Sequence, residues 1–308
     1  MISFIIIGKN EGWRLEKCLQ SLVSIVEQDE ITDHEIIYVD SQSTDNSVVL
    51  AKQYGAKTFL ITGECNAAIA RNIGAKEAIG DILFFIDGDM EIFPGFLPKV
   101  LTKDNQLEYP FISGIFNDIV HDMDWNYLYT SRRHKLQEGD ADAIQITTGG
   151  LFIIEYSLWE QVNGLETRLK MGEDFDIGLR LTKLGVPLRR KAILLANHYM
   201  RQYTMRDDYV MSVKYRALLL RKHWNNINYL RIFIKQQYTT VLLLLSVALS
   251  FLSPWFIILY LVSVCYKNYK QRNWRLFWKP IARDCILLWA LLFFKPINAE
   301  LIYMKCNE

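Results

Sequence analysis

The chain contains no GxGxxG and no GxxxxGK[ST] stretch. The two common glycine-rich loops that cradle phosphate on backbone amides are therefore missing, which excludes the ordinary dinucleotide-fold and P-loop readings. The five cysteines (Cys18, Cys65, Cys265, Cys285 and Cys306) show no CxxC spacing. That excludes a zinc ribbon or a thioredoxin-like motif and is read as free thiols in a reducing compartment. Met1 is followed at once by an apolar run, with no basic segment and no small-residue cleavage site, so no cleaved leader is expected. No internal repeat or low-complexity tract is present. With 51% of the residues apolar and 13% aromatic, global disorder is excluded.

Acidic residues are almost missing from the last third. Residues 214–308 carry 14 Lys and Arg against 3 Asp and Glu, while residues 1–213 carry 21 against 31. The net charge of +1 thus conceals an acidic body of −10 and a basic remainder of +11. A basic remainder suits a negative surface, either nucleic acid or anionic lipid. It also holds the longest apolar run, which favours lipid.

What is present in the first 90 residues is a regular alternation. Ile2 to Gly8 is nearly all apolar and reads as a strand buried on both faces. Leu15, Cys18, Leu19, Leu22, Val23 and Val26 follow at helical spacing. Glu35 to Asp40 is a second strand, and Ser43 or Thr44 is placed to cap a helix through Tyr54. Lys57 to Ile61 is a third strand, Cys65 to Ile79 a helix stopped at Gly80, and Ile82 to Ile86 a fourth strand. The pattern predicts an α/β fold with a mostly parallel, Rossmann-like sheet and helices on both faces. Ligands of such sheets bind beyond the carboxyl ends of the strands, where Asp40 and Asp87 lie.

Further along, Tyr109 to Val120 reads as a strand and Trp125 to Leu136 as a helix with its aromatics on one face. Ile144 to Thr148 and Leu151 to Ile154 read as strands flanking Gly149-Gly150. Tyr156 to Val162 and Phe175 to Leu184 read as helices.

Six motifs in one order then resemble family 2 of the nucleotide-sugar glycosyltransferases, the inverting GT-A type. They are SFIIIGKNEG from Ser3, VDSQSTDNS from Val39, the stretch Ala70 to Asp81 opening on ARN, FIDGDM from Phe85, Gly149-Gly150, and the stretch Asn163 to Asp174 ending on GED. The resemblance covers roughly residues 1–200. It implies the GT-A fold and roles for particular residues. Asp87-Gly88-Asp89 resembles the family's DXD, implying Mn²⁺ or Mg²⁺ between its carboxylates and the donor's diphosphate; a divalent cation there would offset the leaving group's charge. His198 lies where some relatives place a third metal ligand. Asp40 resembles the uracil-binding aspartate, which suits a base whose N3 is a donor. Ile7, Gly8 and Glu11 are implied at the base, and Arg71 at the base or diphosphate. Gly149 and Gly150 are implied to bring backbone amides to the donor sugar or the acceptor. Asp174 resembles the general base that takes the acceptor hydroxyl's proton, with Glu173 beside it as the alternative.

A two-part division is expected: a GT-A domain over 1–213 and a basic, membrane-associated helical region over 214–308. Thr239 to Tyr266 is 28 residues without a formal charge. As one helix it would be about 42 Å long, against a bilayer core of about 30 Å. Pro254 sits near its middle, and basic flanks lie on both sides (Lys214 to Thr240 and Lys267 to Arg283). A single kinked span and a re-entrant hairpin turning at Ser253-Pro254 both fit. Cys285 to Phe294 is a second, shorter apolar run, and Leu218 to Ile234 fits an interfacial helix.

The leading expectation is a membrane-bound inverting hexosyltransferase. It would move a sugar, from a UDP-sugar donor, to a hydroxyl of a lipid-linked glycan or glycolipid. Its catalytic domain would face the cytoplasm. A polyprenyl-phosphate glycosyltransferase, and a non-catalytic membrane scaffold keeping a nucleotide site, are the alternatives. No QxxRW stretch is present, which argues against a processive synthase. Nucleic acid is not an expected partner.

Overall fold

A computed structural model describes residues 1–202, 208–270 and 278–306. The chain divides into two compact units, Met1–Thr204 with Asn298–Glu308, and Met205–Ile297.

The first unit opens with the alternation its apolar runs require. β1 (Ile2–Gly8), α1 (Trp13–Gln28), β2 (His34–Asp40), α2 (Ser47–Gln53), β3 (Lys57–Ile61), α3 (Ala67–Glu77) and β4 (Ile82–Asp87) follow one another. β1 pairs in parallel with β2 on one side and β4 on the other. Successive side chains of a strand point to opposite faces. Phe4 and Ile6 therefore join a core with Leu15, Leu19 and Leu22 of α1 and Leu50 of α2. Ile5 packs on the opposite face with Phe85, and Ile7 with Ile69 and Ile73 of α3. Each such fully buried large apolar side chain stabilises the fold by roughly 1.5–3 kcal/mol. The cap of α2 is Asn46, without a side-chain hydrogen bond, rather than Ser43 or Thr44. The Ser43 amide is taken by Asp40 at 2.7 Å.

After β4 the sheet becomes mixed. The remaining elements of this unit are β5 (Met90–Ile92), β6 (Phe111–His121), β7 (Tyr127–Arg132), β8 (Ala143–Gln145), β9 (Phe152–Glu155), α4 (Tyr156–Gln161), α5 (Glu173–Lys183), β10 (Leu188–Arg201) and β11 (Tyr303–Lys305). The main path of the sheet runs β11-β3-β2-β1-β4-β9-β6-β10-β5, with β7 on β6 and β8 on β10. β9 is antiparallel to both β4 and β6, and β11 is antiparallel to β3. The expected mostly parallel sheet is therefore a mixed one. A parallel neighbour needs a crossover of a dozen or more residues, usually helical, and β6 to β9 have no helix between them.

The expected helix over Trp125 to Leu136 is instead the exposed strand β7, hydrogen-bonded along β6. A turn precedes it, closed by the Asp122 carboxylate on the amides of Asp124 and Asn126, each at 2.9 Å. Tyr-Leu-Tyr-Thr then favours the pleated conformation.

The second unit is helical: α6 (Asp208–His223), α7 (Ile227–Gln236), α8 (Tyr238–Ser250), α9 (Ile257–Lys270) and α10 (Trp278–Phe293). Thr239 to Tyr266 is not one helix. The chain breaks after Ser250 and restarts through a short 3-10 turn at Pro254–Phe256, and α8 and α9 pack on each other. Among the described residues no single helix is long and apolar enough to cross a membrane; α7 and α8 qualify only as a pair bent by 87°. Arg272 and Arg275 of the expected basic flank lie outside the described residues.

Beside buried apolar groups such as Leu219, Val264 and Leu287, this unit also buries polar ones. Thr239, Thr240 and Ser246 of α8, Ser263 and Asn268 of α9, and Arg283 and Asp284 of α10 are buried. Asp284 accepts from Thr240 Oγ1 at 2.8 Å, Tyr260 Oη at 3.3 Å and Arg283 Nε at 3.0 Å. Outward-facing apolar groups gather at the α8–α9 turn, where Phe251 is 90% exposed, Leu252 79% and Trp255 75%.

Candidate active site

The order β3-β2-β1-β4 places a topological switch point between β1 and β4, where successive crossovers leave in opposite directions. Ile7 stands opposite Asp87 and Gly8 opposite Asp40 in register, so three strand ends meet at one rim. The Gly88 amide donates to Ile7 O at 2.8 Å, which folds the turn after β4 onto β1.

A cavity of about 670 Å³ opens there. Ile7, Gly8, Glu11, Arg71, Asp87, Asp89, Gly149, Gly150, Glu173 and Asp174, all expected from the sequence, line it. Gly88, Asp40 and His198 lie outside the lining. Asp40 is fully buried; it accepts from Tyr38 Oη at 3.0 Å and from the Ser43 amide at 2.7 Å, so both its oxygens face the protein. A Cβ on Gly88 would sit 3.1 Å from Ile7 O and 3.2 Å from Glu11 Cγ, so the close turn itself favours glycine.

Arg71 is the hub. It is buried on α3 and pairs with Asp87 of β4 at 2.6 Å and, more loosely, with Glu173 of α5 at 3.5 Å. Burial alone would weaken its charge, but Asp87 and Glu173 more than restore it. Gly150 backs this pair closely: a Cβ there would collide with the Asp87 carboxylate and stand 3.2 Å from Arg71 Nη2.

Glu173 and Asp174 open α5, where negative charge meets the positive end of the helix. Gly172 before them has φ of 85°, a left-handed conformation that favours glycine. Burial raises Glu173 to about 7; Arg71 opposes this and Asp174 adds to it. Burial also raises Asp174, against the Phe175 amide that its carboxylate accepts at 2.8 Å. The loop before α5 is held to α3 by two asparagines. Asn72 exchanges two 2.8 Å hydrogen bonds with the Leu165 backbone, and Asn66 donates to Thr167 O at 2.8 Å. The Asn of ARN is thus a positioning residue for the GED carboxylates.

A second cluster surrounds Asp89. Its Oδ2 faces His198 Nε2 at 3.3 Å and Arg14 at 3.5 Å, while His198 Nδ1 faces Asp118 at 2.8 Å. Burial would lower the His198 pKa, but the hydrogen bonds to Asp118 and Asp89 raise it to about 9. His198 thus bridges two carboxylates, and as a ligand it would offer a neutral ring nitrogen. Among the described residues no three His, Cys, Asp or Glu groups are gathered to hold a metal ion. Two observations nevertheless fit a divalent cation. The donor types are two carboxylates and an imidazole, and Asp89 Oδ1 is buried without a hydrogen-bond partner.

Lys9, Ser41, Asn66, Lys170 and Met171 also line the cleft. Lys170 and Met171 adjoin the GED motif and Ser41 adjoins Asp40, so proximity to a motif was their only signal. Asp118 had none, because only the β6–β10 register brings it beside His198.

Carboxylates, a buried arginine and two glycines thus meet at the switch point of a wound α/β sheet, where such folds bind ligands. Residues 3–159 match the family described as glycosyl transferase family 2, and the chain belongs to that family. An uncharacterized glycosyltransferase of Haemophilus influenzae is 30% identical over 188 residues, spanning 59% of this chain and 62% of that protein. A crystal structure of GalNAc-T7 with UDP, GalNAc and Mn²⁺ is similar in fold, with a TM-score of 0.51 at 18% identity over 65% of this chain and 44% of that one. So is Staphylococcus aureus TarS 1-349 in complex with UDP, with a TM-score of 0.51 at 15% identity over 70% of this chain and 64% of that one.

Proposed function

We propose that this chain transfers a sugar, with inversion, from a uridine-diphosphate donor to a hydroxyl of a membrane-borne glycan or glycolipid. The observation that carries the proposal is the convergence of Asp87, Asp89, Arg71, Glu173 and Asp174 from three separate stretches on one cleft at the switch point. The UDP held by the two solved relatives supports the choice of donor.

In this reading Ile7, Gly8 and Glu11 flank the nucleoside and Arg71 faces the diphosphate. Asp174 accepts the proton of the acceptor hydroxyl as its oxygen attacks the anomeric carbon from the side opposite the leaving diphosphate. Its burial brings its basicity nearer neutrality, where general-base catalysis works best. Asp87, Asp89 and His198 would hold a divalent cation, which supplies charge stabilisation to the departing diphosphate when bound.

The exposed apolar turn of the helical unit, between basic flanks, supports a membrane setting. The apolar turn of the α8–α9 hairpin would lie in lipid, with both basic flanks on the cytoplasmic side. A hairpin fits this better than a straight span, because the helix is broken at the proline.

Asp174→Asn tests the chemistry. Turnover should fall about 10²- to 10⁴-fold. Calorimetric affinity for the UDP-sugar, with Mn²⁺ present, should stay within a factor of about three of the parent's. Near-full turnover of this variant would sink the general-base assignment. Donor binding indifferent to metal would sink the cation's role.

A further inference from the structure

The helical unit contains a polar cavity that the transfer reaction does not use. It measures about 460 Å³ and is lined by Arg216, Lys235, Lys267, Lys270 and Arg283. Asp284 is the only carboxylate between residues 209 and 297. It is bonded to Arg283, so the lining keeps a surplus of four positive charges over the single acid. Arg216, Lys235 and Lys270 reach solvent at its mouth, Lys267 is half-buried and Arg283 buried, so like charges crowd one open hollow, and an anion entering it would offset their repulsion.

One further observation points to a ligand. Gln237 also lines the cavity, is 1% exposed, and its Oε1 has no hydrogen-bond partner. Gln237 both ends α7 and caps α8, so the chain turns beside the hollow at this residue.

The position of the cavity sets the kind of anion. It lies at the foot of the α8–α9 hairpin, at the start of α8 and the end of α9. α8 has 13 residues and is about 20 Å long. One leaflet of hydrocarbon is about 15 Å thick, half the bilayer core. With the Phe251–Trp255 turn near the bilayer midplane, the cavity comes level with the headgroups.

We infer that this basic cavity binds the phosphate of a lipid headgroup. Lys235, Lys267, Lys270 and Arg216 supply charge and donors, and the unpartnered Gln237 oxygen accepts a headgroup hydroxyl. The inference rests on the hairpin insertion proposed above, and it deepens that reading by naming the chemistry recognised at its foot.

Binding of the full chain to vesicles of phosphatidylcholine, alone or with phosphatidic acid, tests it. The parent should prefer the phosphatidic acid vesicles. The triple variant Lys235→Gln, Lys267→Gln, Lys270→Gln should lose about a hundredfold of that preference. Replacement of the same lysines by arginine should restore it. The control triple Lys214→Gln, Lys222→Gln, Arg231→Gln removes equal charge outside the cavity and should keep most of it. Equal losses in the two glutamine triples would mean diffuse surface attraction and would overturn the site. Tight binding of inorganic phosphate without any vesicle preference would overturn the lipid source. Phe251→Glu with Leu252→Glu should weaken binding to every vesicle while sparing the preference ratio. No effect of that pair would refute the hairpin, whereas an unchanged ratio in the lysine-to-glutamine triple would refute the cavity alone.

Discussion

Gly150 shows how tightly the site is fixed at the level of single residues. Its absent side chain is filled by the Asp87 carboxylate, itself locked on Arg71. Gly150→Ala forces that pair apart, an overpacking cost of roughly 1–3 kcal/mol. The melting temperature should drop by several degrees and donor affinity should fall as well; thermal melting and a titration of UDP-sugar against the folded variant measure the two. Glu173 makes a complementary prediction through pH. Its pKa rises from 4.5 to about 7 on folding. The native state therefore holds more protons than the unfolded one between those values, and this group's contribution to stability declines as pH climbs from 4.5 to 7. Glu173→Gln removes the decline. The melting temperature of the variant relative to the parent should increase across that window, and the acidic limb of kcat/KM should move to lower pH. A constant difference from pH 4.5 to 7 would contradict the assignment.

At the scale of elements, β11 is the test piece. It pairs with β3 through Tyr303 to Lys305 and closes that edge of the sheet, with Tyr303 Oη on Glu77 at 2.5 Å. Deleting residues 298–308 should uncover the β3 edge and leave a less stable, aggregation-prone protein. Thermal melting and light scattering would register both effects; an unchanged melting curve would show the strand to be dispensable. β11 also marks the limit of what the sequence discloses. The strands β1 to β4 were legible because continuous apolar runs between helical repeats have one reading. β5, β10 and β11 were not, being short, or half polar, or far along the chain from their partners. Tyr127 to Arg132 misled because clustered aromatics fit a helical face and an exposed strand equally until β6 is in place. The site was more legible than the sheet. Its residues sit within short motifs, whereas Arg14 and Asp118 enter only through register and packing.

For the whole molecule, the division of charge is the governing feature. Both units bury polar groups among apolar ones, but the second is basic and turns Phe251, Leu252 and Trp255 outward. Attachment by inserted apolar surface should survive about 1 M salt, which screens exposed charges over a few Å, and should yield to detergent. Sedimentation of membranes after each wash distinguishes the two, and release by salt alone would refute insertion. The route of the chain adds a mechanical consequence. Residues 298–306 come back to the sheet after the helices, so the helical unit is an insertion joined to the first unit at both its ends. A protease that severs either connection leaves the other intact. The sheet unit would stay tethered to the helical unit after one cut, and only a second cut would cast it loose.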